Sequence, residues 1–284
     1  MFGVNRQVYY RRIQTVKRRK SRAVQVIELV ESIRLQMPKI GVRKLYFMLE
    51  DELKQLHVGR DMLFRILKAN HMLILPKRRY HITTNSHHRF RKHKNLVENV
   101  VPERPEQIWV SDITYVGNRQ NPMYLALVTD AYSKQIMGYD LSNSLDVSGS
   151  LRALKMVVKK RKYKNNIVTH HSDRGLQYCS NEYQALLKRS KLNCSMTESY
   201  VPYANAVAER VNGILKGGEF IGYKNNHSIE TMDTLVKDSI NIYNERRPHF
   251  SCFYKTPRQM HLQNEIKIKT YKNKYPRNHV ITGI

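Results

Sequence analysis

Ile108-Trp109-Val110-Ser111-Asp112-Ile113-Thr114-Tyr115-Val116 is the stretch at which the periodicity of the chain changes. β-Branched and aromatic residues crowd it, as they do Met123 to Val128 and Gln135 to Leu141, and each run reads as a strand. Asn121-Pro122 and Ala131 to Lys134 supply short turns, so the three strands are expected to form an antiparallel meander. Beyond them, Asp146 to Lys162 spaces Leu151, Leu154, Val157 and Val158 as one face of a helix. Ile167 to Ser172 reads as a strand, Glu182 to Ser190 as a helix and Leu192 to Met196 as a short strand. Tyr203 to Lys216 then winds as a helix with Val207, Val211, Ile214 and Leu215 on one face and Asn205, Glu209, Asn212 and Lys216 on another. A last long helix, about Ile229 to Arg246, ends before Pro248.

Three strands, helix, strand, helix, strand, helix is the order of an RNase H-like α/β fold, a mixed five-stranded sheet flanked by helices. Upstream the pattern is all-α. Arg22 to Gln36, Val42 to Leu53 and Gly59 to His71 each carry an apolar face, and the last leaves Arg60, Arg65 and Lys68 outside, as a helix-turn-helix domain would. Residues 6 to 22, crowded with Arg and Lys, read as a basic lead-in. The expected organisation is a helix-turn-helix region over residues 1–75, a basic linker over 76–104, the catalytic core over 105–262 and a basic tail over 263–284.

Charge points to the partner. The chain has 284 residues, 41% of them apolar, with 50 Lys and Arg against 23 Asp and Glu, a net charge of +27. A field of that size attracts polyanions, with nucleic acid first and an acidic membrane surface second. Residues 1–95 hold 23 of the 50 cations and only 6 of the 23 acids, so the first third is the stronger grip. Arg78, Arg79, Arg91 and Lys92 sit in a run from Lys77 to Asn95 that has no acid and suits a phosphate backbone. No apolar run has the length of a membrane span and no signal-peptide core opens the chain, so a cytoplasmic protein is expected. Cys179, Cys194 and Cys252 lack metal-ligand spacing and read as small buried thiols.

Chemistry enters where carboxylates interrupt the strands. Asp112 lies among Trp109, Val110, Ile113 and Tyr115, and Asp173 ends the strand Ile167 to Ser172. On adjacent strands the two would repel each other unless a cation lay between them. Mg²⁺, with Mn²⁺ as its substitute, fits an oxygen-only ligand set, whereas scattered His and Cys argue against zinc. Glu209 is the candidate third ligand. Asp112 and Asp173 have 60 residues between them, Asp173 and Glu209 have 35. Two bound ions would activate a nucleophile and stabilise a leaving oxygen across phosphorus. Asn205, Asn212 and Lys216 share the stripe of Glu209 and are candidates for holding DNA. His170 and His171 point to opposite faces of their strand and read as structural.

With these residues in view the chain resembles bacterial insertion-sequence transposases of the DDE, retroviral-integrase superfamily, and more narrowly those encoded as a second, overlapping reading frame. The likeness rests on Trp109 to Tyr115, His171-Ser172-Asp173-Arg174-Gly175-Leu176-Gln177-Tyr178 and Asn205-Ala206-Val207-Ala208-Glu209, with Lys216 at the position of the family's basic residue. Tyr243 to His249 and Tyr254 to Pro257 resemble its closing segment; Gly41 to Leu45 and Lys68 to Leu73 resemble its helix-turn-helix. Ala204 stands where many relatives carry an acid. The resemblance implies a transposase that cuts and joins the ends of a mobile element, acting on double-stranded DNA at element ends and target, through circular intermediates. It also implies a homo-oligomer on DNA, an upstream-frame DNA-binding partner or fusion, and a bacterial, nucleoid-associated setting. A regulator with a non-catalytic integrase-like scaffold and a nuclease that stops at cleavage remain as alternatives.

Overall fold

The computed structural model describes residues 5–74, 93–98, 100–117, 122–197, 206–216, 220 and 228–268. Helices α1 (Arg6–Arg34), α2 (Val42–Met48), α3 (Glu50–Gln55) and α4 (Arg60–Ala69) come first. Strands β1 (Ile108–Gly117), β2 (Pro122–Asp130) and β3 (Ile136–Ser142) follow, then α5 (Val147–Lys160), β4 (Thr169–Ser172), α6 (Leu176–Cys179), α7 (Asn181–Arg189), β5 (Asn193–Met196), α8 (Ala206–Ile214), α9 (Ile229–Arg246) and α10 (Pro257–His261). The sheet runs β3-β2-β1-β4-β5. Strands β1, β2 and β3 are antiparallel, while β4 pairs parallel with both β1 and β5. That is the mixed five-stranded sheet expected of an RNase H-like fold.

Alternation along the strands decides which helices cover which face. In β2, Ala126 and Val128 join a cluster with Trp109, Leu154, Val157, Tyr183 and Leu187, which packs α5 and α7 on one side. Leu125 and Leu127 join Val211, Ile214, Leu215, Met232, Val236 and Tyr243, which packs α8 and α9 on the other. Strand β1 alternates likewise: Trp109 and Ile113 face α5 and α7, whereas Ile108 and Val110 meet Ala208 of α8. Asp112 has the parity of Val110 and Val116, so its side chain faces α8.

The N-terminal helices enclose a core of their own, built on Val26, Val30, Leu45, Leu53, Leu63 and Leu67. Here the structure differs from the sequence reading. The basic lead-in is helical from Arg6, because Asn5 caps it by accepting from the Gln7 amide at 3.1 Å and no breaker interrupts the run before Pro38. The single helix expected over Val42 to Leu53 is broken at Leu49 into α2 and α3. The one-turn helix α6 has too few residues to show a period.

Residues on either side of the 105–262 segment pack against the α/β sheet and its helices. Before β1, Leu96 donates its amide to Ser195 Oγ at 2.8 Å, and Val97 packs with Ile108 and Val110. After α10, Tyr132 donates its hydroxyl to the Ile266 carbonyl at 2.5 Å, and Ile266 and Ile268 pack on Tyr132, Cys252 and Met260. The three cysteines are free thiols. Among the described residues no helix is long and apolar enough to cross a membrane.

Gly138 marks the tightest contact between β3 and α5. A Cβ there would lie 2.4 Å from the Ala153 carbonyl oxygen and 2.5 Å from a Val157 methyl carbon. Backbone cannot yield as a flexible side chain does, so Gly138→Ala is expected to destabilise the core by at least about 2 kcal/mol, read as a lower denaturation midpoint.

Candidate active site

Register brings the two aspartates together. In the parallel pair β1/β4 the last matched residues are Ser111 and Ser172; Asp112 is the next residue of β1, and Asp173 is the first residue after β4. Beneath them the core side is closed by buried polar groups: Ser111 Oγ lies 2.7 Å and Tyr183 Oη 2.9 Å from His170 Nε2. Burial pushes His170 down to about 3, so it stays neutral. His171 is buried too, with Nδ1 2.9 Å from Ser195 Oγ. Both histidines are framework, and neither is exposed to solvent as a base would need to be.

Asp112 is half-buried and accepts from its neighbour Ile113 N at 2.9 Å. Burial first, then the charge of Asp173, and least that of Glu209, raise its pKa from 3.8 to about 7. The Ile113 amide and the Asn212 amide oppose that shift. Asp173 is turned by the chain reversal after β4, where Gly175 N donates to its Oδ1 at 3.0 Å. A Cβ on Gly175 would sit 3.0 Å from that oxygen, so the turn leaves room for a carboxylate and little else.

Helix α8 supplies the rest. Glu209 and Asn212 lie three residues apart on α8, and Lys216 follows just past its end. Glu209 is exposed at its start, with its pKa raised by desolvation. Asn212, read from the sequence as a DNA contact, turns inward: it is 6% exposed and donates Nδ2 to Asp112 Oδ2 at 2.6 Å. Its Oδ1 is buried without a hydrogen-bond partner. Lys216 Nζ lies 5.4 Å from the centroid of the Tyr115 ring, which steers it along β1.

Among the described residues no three His, Cys, Asp or Glu side chains are close enough to hold one metal ion. The donors present nonetheless suit a hard cation, since all are oxygens, Asp112 and Asp173 repel each other, and the Asn212 carbonyl lacks a partner. Arg60, Arg65 and Lys68 are exposed on α4, at a distance in the chain from these carboxylates. Asn205, Arg78, Arg79, Arg91 and Lys92 lie outside the described residues.

Comparison with known proteins places the arrangement. Residues 102–202 match a family model described as integrase core domain, and residues 190–257 match a second model of the same description. The insertion element IS600 uncharacterized 31 kDa protein of Shigella sonnei is 31% identical over 255 residues, spanning 88% of this chain and 92% of that protein. The chain belongs to the insertion-sequence transposases of the DDE, retroviral-integrase superfamily. Transposase InsF for insertion sequence IS3A of Escherichia coli (strain K12) is 35% identical over 178 residues, covering 60% of this transposase and 59% of InsF. Among solved structures, a simian T-cell lymphotropic virus intasome in complex with PP2A regulatory subunit B56 gamma superposes with a TM-score of 0.50 at 19% identity, over 82% of this chain and 79% of that one.

The raised pKa of Asp112 has a signed consequence for the metal-free transposase. Its folded form holds a proton that the unfolded chain releases near 3.8, so this group's contribution to stability is full below about 4 and is lost as pH rises towards about 7. Asp112→Asn cannot ionise there. In chelator, the variant is expected to match the wild type near pH 4 and to have the higher denaturation midpoint at pH 8.

Proposed function

We propose that this transposase cuts and joins the DNA ends of its mobile element, with Asp112, Asp173 and Glu209 as the catalytic carboxylates. The observation that carries the reading is the placement of Asp112 within β1 and Asp173 just after β4, each one residue past the last matched pair of these parallel neighbours, with Asn212 bonded to the first. Family membership supports DNA integration as the reaction class.

Asp112, Asp173 and Glu209 would hold divalent ions, Mg²⁺ or Mn²⁺, and two ions suit the number of carboxylates. Such ions, when bound, supply Lewis-acid charge at the phosphate and ease deprotonation of the nucleophile. The protein's part is positional. Asn212 fixes Oδ2 of Asp112 and the Ile113 amide fixes Oδ1, each oxygen keeping a further lone pair for the cation, while the Gly175 amide orients Asp173. Lys216 offers charge to a phosphate along the same face.

Two phosphoryl transfers follow. In the first, water adds its oxygen to phosphorus at the element end and the P–O3′ bond breaks, the proton finishing on the freed 3′-hydroxyl. In the second, that 3′ oxygen attacks another phosphodiester, and a new 3′-hydroxyl leaves. Each is an in-line exchange of one P–O bond for another, and positioning with electrostatics carries most of the acceleration.

The exposed Arg60, Arg65 and Lys68 make α4 the DNA-reading helix of a region over residues 1–75, and the core over 105–262 does the cutting. Arg78, Arg79, Arg91 and Lys92 in the 76–104 linker and the basic 263–284 tail add charge for the backbone, and Asn205 before α8 adds a neutral hydrogen-bonding amide. The working form is a homo-oligomer on double-stranded DNA, holding element ends and target in the bacterial nucleoid, with an upstream-frame partner or fusion adding further DNA contacts.

The test uses end-bearing duplex labelled at the 3′ strand, in Mg²⁺. Asp173→Asn is expected to lower cutting and strand joining by at least about a thousandfold, roughly 4 kcal/mol of barrier, while binding is retained. A variant that still joins ends at the wild-type rate rules this mechanism out.

A further inference from the structure

Helix α9 faces two ways. Met232, Val236, Ile240 and Tyr243 point into the cluster that also holds Val211, Ile214 and Leu215 of α8, the helix of Glu209. Ile242 points the other way and packs against the N-terminal helical core. At the end of α9, Arg246 donates a hydrogen bond to the Gln36 side chain. Close by, Phe47 of α2 lies face to face with Tyr254, centroids 4.9 Å apart and planes 18° from parallel.

Tyr254 reaches that position through an unusual backbone. Phe253 and Tyr254 have φ of 54° and 63°, the left-handed region that bulky L-residues avoid. Two hydrogen bonds fix the loop: the His249 amide donates to the Lys255 carbonyl at 3.1 Å and the Tyr254 amide to the His249 carbonyl at 2.8 Å. Strain kept in place by surrounding bonds has a product, and here it is an aromatic ring presented to another part of the chain. His249 sits beneath the loop, its imidazole 3.2 Å from Arg247. It is buried, and it lies within electrostatic reach of Lys44 on α2 and of Arg210, the residue after Glu209. One junction therefore touches the DNA-reading region and the helix of the third carboxylate.

We propose that the Phe47–Tyr254 stack, with Ile242 and the Arg246–Gln36 bond, is a register latch that fixes the distance from α4 to the catalytic carboxylates and so selects which phosphate is cut. This rests on the proposed function. Successive phosphates of one strand are about 3.4 Å apart along the duplex axis. A shift of the two regions by the thickness of one aromatic ring is enough to present a neighbouring phosphate. Phe47 is 43% exposed, so the stack is a surface contact whose loss leaves either core intact. Tyr254 and Phe47 are positioning residues, remote from the reacting atoms.

The experiment maps cleavage at nucleotide resolution on a duplex carrying the terminal sequence of the element, in Mg²⁺, with binding measured separately on the same duplex. Full-length Tyr254→Ala and Phe47→Ala are each expected to bind within about twofold of wild type and to spread the cut from one phosphate to its neighbours. Tyr254→Phe keeps the ring and is expected to restore the single cut. If Tyr254→Ala does not fold, Phe47→Ala on the exposed face of α2 carries the same test. Variants that cut as sharply and at the same phosphate as wild type overturn the latch alone; a wild type that cuts no end overturns the functional reading instead.

Discussion

Two carboxylates inside each other's field set the terms for the rest of this structure. Asp112 and Asp173 are one step past the last matched pair of two parallel strands, and burial first, then their repulsion, raise the proton affinity of Asp112. Like charges do not hold such a pair together. What holds it is the sheet, with α5 and α7 packed on one face and α8 and α9 on the other, so that separating the aspartates would mean opening both hydrophobic clusters. Asn212 adds the one direct attraction that α8 makes to Asp112, and it does so from a buried position where its remaining oxygen has no other bond to make.

Local pattern carried much of this. The strands were legible because side-chain alternation has a period of two, and β2 keeps it so strictly that adjacent residues divide between opposite cores. The aspartates stood out as charges among strand formers, and Glu209 as an acid at helical spacing from apolar residues. Illegible features are those made by contacts distant in sequence. Asn212 carries the same polar label as an exposed residue, and only the packing of α8 on β1 turns it inward. The Phe47–Tyr254 stack joins residues more than two hundred positions apart, which no periodicity can signal. Residues 6 to 22 were read only as a basic lead-in, and the capped helix they form spreads their charges so that Arg6, Arg11, Arg12 and Lys17 to Lys20 are exposed to water.

Histidine shows how residue type misleads without burial. His170 and His171 lie just before Asp173 and have the chemistry of a base, but both are sealed among Ser111, Tyr183 and Ser195. Their imidazoles bridge neighbouring strands on the side away from solvent. In the same way Glu106 lends its carboxylate to the amides of Lys162 and Tyr163, closing the loop after α5 and contributing to structure alone.

The sheet order carries a cost in folding time. Strands β1, β2 and β3 are separated by only a few residues in sequence and can pair as soon as they exist, but the other edge of β1 waits for β4, which arrives only after α5. Until then β1 presents open amides and carbonyls beside Asp112, an edge that another chain could add to. Closing a non-local parallel pair is slow compared with hairpin formation. The step that seals the aggregation-prone edge of the newborn chain is therefore also the step that first brings its two aspartates side by side.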